Sequence, residues 1–252
     1  MTPSTPEAIA AVCDHAILQP SFTDAEMRQQ LETLRGYPVA SVCIKPYAVP
    51  LAVEVLKGSG IPVGTVIGFP HGSALPEIKA AEAELAFRQG CKDVDMVINV
   101  GKALSKDWAY VREDIAAVLA VTRKHSGILK VIFETDFIPQ DEIKIRLCEI
   151  CSELKVDFVK TSTGYGYVKS PDFGGHYNYR GATEHDIKLM KQHTTPGMGI
   201  KPSGGIRTLD EVLKFLSLGA TRIGTGSTFA IYADAVKRWG GTAKSAVESR
   251  GY

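Results

Sequence analysis

Apolar residues along this chain fall into two alternating kinds of segment. Short runs rich in β-branched residues recur at "HAIL" (15–18), "VASVCI" (39–44), "GTVIGF" (64–69), "DVDMVI" (93–98), "LKVIFET" (129–135), "DFVKTS" (157–162), "GIKPS" (199–203) and "TRIGTG" (221–226). They are apolar on both faces, as strands of a buried parallel sheet should be. Between them, apolar residues recur every three or four positions, which predicts helices over 75–90, 108–125, 140–154 and 184–193. Two further helix starts carry capping boxes, Thr23 with Glu26 and Thr208 with Glu211, and Gly36 and Gly219 mark the expected ends.

Strands alternating with helices in this way fit a (β/α)8 TIM barrel or a doubly wound sheet. The doubly wound fold needs a glycine-rich turn after its first strand, whereas "LQPSFT" follows here. The glycine-rich loops come after the seventh and eighth strands, as Ser203-Gly204-Gly205-Ile206-Arg207 and Gly224-Thr225-Gly226-Ser227. A barrel commonly binds phosphate there, on backbone N–H groups and a helix N-terminus. The expectation is a single α/β barrel domain over residues 1–252, with a short N-terminal helical segment and a flexible tail from 243 to 252.

Composition narrows the function classes. The chain is 44% hydrophobic and 23% charged with formal net charge +1, which gives no electrostatic reason to expect nucleic acid or an anionic membrane as partner. No apolar run approaches the roughly 18 residues of a membrane span. The N-terminus lacks a basic region and carries Glu7 and Asp14, unlike a signal peptide. Five scattered cysteines suit a reduced, cytoplasmic protein. Cys148 and Cys151 form a C-x-x-C pair, but inside a helical pattern, where two small residues one turn apart are the simpler account. The six histidines are dispersed; His71 is a candidate for the barrel mouth or for plain loop packing.

Three charged residues set into the apolar runs carry the candidate chemistry: Asp95, Lys160 and Lys201. In a barrel, reacting side chains sit at the C-terminal ends of strands. Two neighbouring amines in a partly desolvated site repel each other, and burial adds to the effect, so a lysine pKa falls. A neutral amine attacks carbonyls and forms a Schiff base. Joined to two anion-binding loops and Arg207, this points to a sugar-phosphate aldolase that needs no metal; no clustered His, Asp and Glu set suggests zinc. The competing account is a buried ion network without chemistry.

The motifs "DHAILQP", "SVCIKPYAV", "VIGFPHG", "DVDMVINVGKAL", "KVIFETDFI", "FVKTSTGYG" and "GIKPSGGIRT", with a C-terminal tyrosine, resemble in order those of the deoxyribose-phosphate aldolase family. The resemblance implies a class I aldolase that cleaves 2-deoxy-D-ribose 5-phosphate to D-glyceraldehyde 3-phosphate and acetaldehyde. It implies Lys160 as Schiff-base former, Lys201 as the residue that lowers its pKa, and Asp95 in the proton relay. Tyr252 would assist protonation of the enamine. Asp14, Cys43, Thr161, Gly164 and Arg207 would lie at the substrate, and Gly204, Gly205, Gly226 and Ser227 at its phosphate. The family also implies a homodimer or larger homo-oligomer. The alternatives are a lysine-dependent aldolase with a different or non-phosphorylated acceptor, and a silent sugar-phosphate-binding relative.

One stretch departs from that family. Its members pass quickly from "KTSTG" into the next helix, whereas this chain inserts residues 165–181, rich in Tyr and Gly. Tyr165 stands where many members carry a phosphate-binding lysine or a small residue, so either Lys169 or Arg180 replaces such a charge or the phosphate binds less tightly. βα loops usually take about 2–6 residues, and longer ones are often lids or binding loops. A lid, a subunit contact and an idle surface loop are the three readings.

Overall fold

The computed structural model describes residues 3–241. A short helix α1 (Pro6–Ala10) precedes strand β1 (Cys13–Ile17). Five strand–helix units continue with α2 (Asp24–Leu34), β2 (Ser41–Ile44), α3 (Val49–Val55), β3 (Val63–Ile67), α4 (Pro76–Arg88), β4 (Asp93–Val97), α5 (Val100–Leu104), α6 (Trp108–Lys124), β5 (Ile128–Ile132) and α7 (Asp141–Leu154). After β6 (Phe158–Lys160) the insertion forms a small antiparallel hairpin, β7 (Val168–Lys169) with β8 (Tyr177–Asn178). The described residues close with α8 (Glu184–His193), β9 (Gly199–Lys201), α9 (Leu209–Ser217), β10 (Ile223–Thr225) and α10 (Thr228–Trp239).

Eight strands pair in parallel in the order β10-β1-β2-β3-β4-β5-β6-β9, and a parallel bridge between Ser203 and Gly224 spans the remaining seam. The expected (β/α)8 barrel is the observed architecture. Outward strand residues such as Val94, Met96, Leu129, Val131 and Val159 are fully buried against the helices, for example Ile115, Val118 and Leu147. Both capping boxes form: Thr23 and Thr208 each exchange backbone–side-chain bonds with Glu26 and Glu211. The helices they open stop at Leu34 and Ser217, before the predicted glycines, with Gly219 left-handed at φ 106°. β1 begins two residues earlier than the run at 15–18 suggested, which brings Asp14 into the barrel wall. The expected N-terminal helical segment is α1, whereas α3 and α5 are too short for a periodic signal and were not anticipated.

One buried ion pair bears on the strand that carries Asp95. Lys79 of α4 donates to Asp114 of α6 at 2.6 Å and to the carbonyl of Val97 at 2.9 Å, while Asp114 also accepts the N–H of Asn99 at 3.1 Å. Both side chains are fully buried. Burial outweighs their attraction, lowering the Lys79 pKa and raising that of Asp114. Removing one partner strands the other, so Lys79→Met should cost about 3–5 kcal/mol, whereas Lys79→Met with Asp114→Leu should recover most of it. Urea unfolding of both variants checks this; equal losses would mean the pair itself, not the stranded charge, carries the stability.

Candidate active site

Strand register brings the candidate residues together. Lys160 of β6 lies directly opposite Lys201 of β9, and Asp95 of β4 is opposite Lys130 of β5. Inward side chains from alternate strands then meet inside the barrel at its C-terminal end. Lys160 Nζ is 2.7 Å from Asp95 Oδ2, and Lys201 Nζ is also 2.7 Å from that same oxygen. Lys201 reaches Asp14 Oδ2 at 2.5 Å, and Arg222 reaches Asp14 Oδ1 at 2.7 Å. Lys130 Nζ joins Asp93 at 2.9 Å, Asp95 Oδ1 at 3.0 Å and Asp14 at 3.5 Å. Two glycines leave room for this cluster. A Cβ on Gly64 would fall 1.7 Å from Asp93 Oδ1, and one on Gly224 would fall 2.9 Å from Lys201 Cε.

Four cationic side chains (Lys130, Lys160, Lys201, Arg222) therefore share three carboxylates (Asp14, Asp93, Asp95). One amine can lose its proton and leave the cluster balanced. Position decides which. Burial pushes the Lys160 pKa down; Asp95 opposes this and the Lys201 charge reinforces it, with a net fall. Lys201 feels the same burial, but Asp14 and Asp95 outweigh it and raise its pKa. Lys130 goes the same way, held up by Asp93, Asp95 and Asp14 against its burial. Asp95 would be raised by burial, but Lys130, Lys160 and Lys201 hold its carboxyl well below the ordinary range. The expected arrangement was a Lys160 depressed by its neighbour Lys201; Lys160 is lowered, and Lys201 is not, because the carboxylates compensate it.

Above the cluster lies a cleft lined by Asp14, Cys43, Lys160, Gly164 and Lys201, and by both glycine-rich loops from Ser203 to Arg207 and Gly224 to Ser227. Gly204 and Gly205 are left-handed (φ 86° and 79°), which turns successive N–H groups in a form that suits an anion. Ser227 precedes α10, so Gly226 and Ser227 stand at a helix N-terminus. Cys43 is buried and burial pushes its thiol up to about 12, which leaves a small neutral wall.

The other candidate residues take different places. Thr161 does not line the cleft: it is fully buried, its hydroxyl donating to the Ser203 carbonyl at 3.1 Å and accepting the Ser203 N–H at 3.0 Å, so it ties two loops together. Neither Lys169 nor Arg180 supplies a charge to the cleft lining; Arg180 pairs with Asp172 at 2.5 Å, and Lys169 is exposed on β7. Tyr165 stacks edge-on against Phe69 at 5.5 Å. His71 is exposed, and Cys148 and Cys151 are buried free thiols of α7. Tyr252 and the tail from 243 lie outside the described residues. Lys130, Asp93 and Glu134 were passed over, although each sits in an apolar run. Alternation was the available signal for Asp93, two positions before Asp95 on the same face of β4; Glu134 lies beyond the end of β5 at φ 57°, where alternation no longer applies. Among the described residues, no three His, Cys, Asp or Glu side chains are grouped to hold a metal ion, and no helix is long and apolar enough to cross a membrane.

Comparison with known proteins agrees with this geometry. The model of the DeoC/LacD family of aldolases matches residues 9–232. A deoxyribose-phosphate aldolase of Rhodopirellula baltica is 42% identical over 232 residues, 92% of this chain and 91% of that protein. One from Lactococcus lactis subsp. lactis is 44% identical over 218 residues, 86% of this chain and 92% of its own length. Among solved structures, a putative deoxyribose-phosphate aldolase from Coccidioides immitis superposes with a TM-score of 0.83 at 31% identity, covering 93% of this chain and 87% of that one. The tetrameric deoxyribose phosphate aldolase of Aeropyrum pernix gives 0.81 at 25% identity and covers 94% of both chains. With a barrel of the same form and a family match across nearly its whole length, this chain belongs to the DeoC/LacD family of aldolases.

Proposed function

We propose that this protein reversibly cleaves 2-deoxy-D-ribose 5-phosphate to D-glyceraldehyde 3-phosphate and acetaldehyde, through an imine on Lys160. The observation that carries the reading is a buried amine with a lowered pKa, 2.7 Å from the carboxylate oxygen it shares with a second, protonated lysine. The neutral Lys160 amine adds to the C1 aldehyde of the open-chain sugar. The carbinolamine loses water to give an iminium. Its positive charge draws electrons as the C2–C3 bond breaks, while the C3 hydroxyl gives up its proton and becomes the new aldehyde. Glyceraldehyde 3-phosphate departs, leaving an enamine. Protonation at C2 and hydrolysis release acetaldehyde and restore Lys160.

Asp95, Lys201 and water are the proton carriers in this scheme. Asp95 faces both amines, and Lys201 keeps its proton through Asp14. The phosphate lies on the Gly204–Gly205 and Gly226–Ser227 backbone with Arg207 beside it. The lysine imine supplies the electron sink, so the scheme calls for no further cofactor. Five free, buried thiols suit the reducing cytoplasm.

Borohydride reduction tests the reading. The protein is incubated with acetaldehyde or 2-deoxyribose 5-phosphate, reduced, and mapped by peptide mass spectrometry. A reduced adduct on Lys160 alone is expected; an unmodified Lys160 with both ligands would remove the imine scheme. The cleft lining carries no cation from the insertion, which favours one variant reading: an acceptor without phosphate. Comparing 2-deoxyribose with its 5-phosphate decides between them.

A further inference from the structure

Both feet of the 165–181 insertion stand on one short segment, the turn after β5. Glu134 in that turn is fully buried and left-handed at φ 57°, a conformation that a non-glycine residue keeps only where its surroundings hold it. Its carboxylate accepts the backbone N–H of Thr163, at 3.2 Å from Oε2 and 3.4 Å from Oε1, and also the Thr163 hydroxyl. The chain beyond presses on the same group, since a Cβ on Gly166 would fall 2.7 Å from Glu134 Cδ. Two residues on, Asp136 accepts the N–H of Arg180 at 2.6 Å and of Gly181 at 2.9 Å.

Both feet stand at the cleft. Thr163 and Gly164 line it. Gly181 braces the glycine turn beside them: a Cβ there would fall 2.3 Å from the Gly204 carbonyl oxygen, the Ala182 N–H donates to that oxygen at 3.2 Å, and a Cβ on Gly204 would lie 3.1 Å from Gly181 Cα and 3.7 Å from Gly164 Cα. Neither carboxylate lines the cleft itself. Burying a carboxylate is costly unless its bonds compensate it, and an apolar side chain would fill the place of Glu134 without that cost. What only an acceptor can do there is hold Thr163.

We propose that Glu134 is a positioning residue for the phosphate end of the substrate: it seats Thr163 and Gly164, while Asp136 seats Arg180 and Gly181, so the two carboxylates hold both feet of the insertion against the Gly204 turn. The proposal rests on the aldolase reading above. It makes the insertion a brace behind the wall rather than a detached flap.

The test compares wild type with Glu134→Ala, Glu134→Gln and Asp136→Asn. Cleavage kinetics are measured with 2-deoxyribose 5-phosphate and with 2-deoxyribose, and acetaldehyde trapping at Lys160 is timed. Loss of the seat in Glu134→Ala should raise KM for the phosphorylated sugar about tenfold or more, the order of a lost charge-assisted bond. KM for the unphosphorylated sugar and the trapping rate should stay near wild type. Glu134→Gln keeps one acceptor and should fall between; Asp136→Asn should shift KM in the same direction. Should Glu134→Ala fail to fold, the Gln and Asn variants carry the comparison. An equal rise in KM for both sugars, an unchanged KM, or a fall in trapping rate would each overturn the positioning role. A wild-type protein that traps no acetaldehyde would instead sink the aldolase reading, and this proposal with it.

Discussion

Lys160→Ala should abolish cleavage of 2-deoxyribose 5-phosphate, a loss of at least about 10⁴-fold and so at or beyond the range of a single acid–base group. Without the amine, the bond-breaking step has no iminium to receive its electrons. Lys201 cannot take over, because its Nζ is held at 2.5 Å by Asp14 and at 2.7 Å by Asp95, both of which raise its pKa. The fold should survive the change. Asp95 retains Lys130 and Lys201 as partners, and the remaining Lys130, Lys201 and Arg222 match the three carboxylates in charge. The expected result is therefore a variant with a near-native melting curve, no turnover, and no borohydride-trapped adduct. Turnover within tenfold of wild type would remove Lys160 from the chemistry. An adduct on Lys201 would show that the second amine can lose its proton after all.

The barrel was legible because its signal repeats. Runs such as "DVDMVI" and "LKVIFET" have the composition of strands covered on both faces, and the missing glycine turn after the first strand argued against the doubly wound fold. Lys160 and Lys201 were legible for a related reason, since a cation in such a run is costly without a purpose. Lys130 stands in an equally apolar run and was missed. Its partners come from β1 and β4, on strands 35 and more residues away, and a contact of that kind has no local trace in the sequence. Asp14 was found only through its motif, because the run at 15–18 stopped short of it. Thr161 also came with its motif, and a motif does not say which way a side chain turns: the pleat directs its hydroxyl to Ser203. Glu134 and Asp136 took their meaning only from where the insertion returns to the barrel.

Lys201→Met should lower kcat/KM by about 10²–10⁴-fold at neutral pH and move the rising limb of the pH–rate profile to higher pH. The sign follows from the cluster. Imine formation needs Lys160 without its proton, so the rate climbs as pH rises through the Lys160 pKa. Burial lowers that pKa, Asp95 opposes, and the positive charge of Lys201 lowers it further. Replacing Lys201 by a neutral chain removes the repulsion and leaves Asp95 Oδ2 to Lys160 alone, and both changes favour the protonated amine. Asp14 is not stranded, because Arg222 at 2.7 Å and Lys130 at 3.5 Å remain. Raising the pH should then restore the part of the rate lost to protonation of Lys160, but not the part lost with the proton that Lys201 itself carries. The two roles separate in one titration of kcat/KM. A depressed rate with an unmoved limb would leave Lys201 as a proton carrier only, and the lowered pKa of Lys160 would then rest on burial alone.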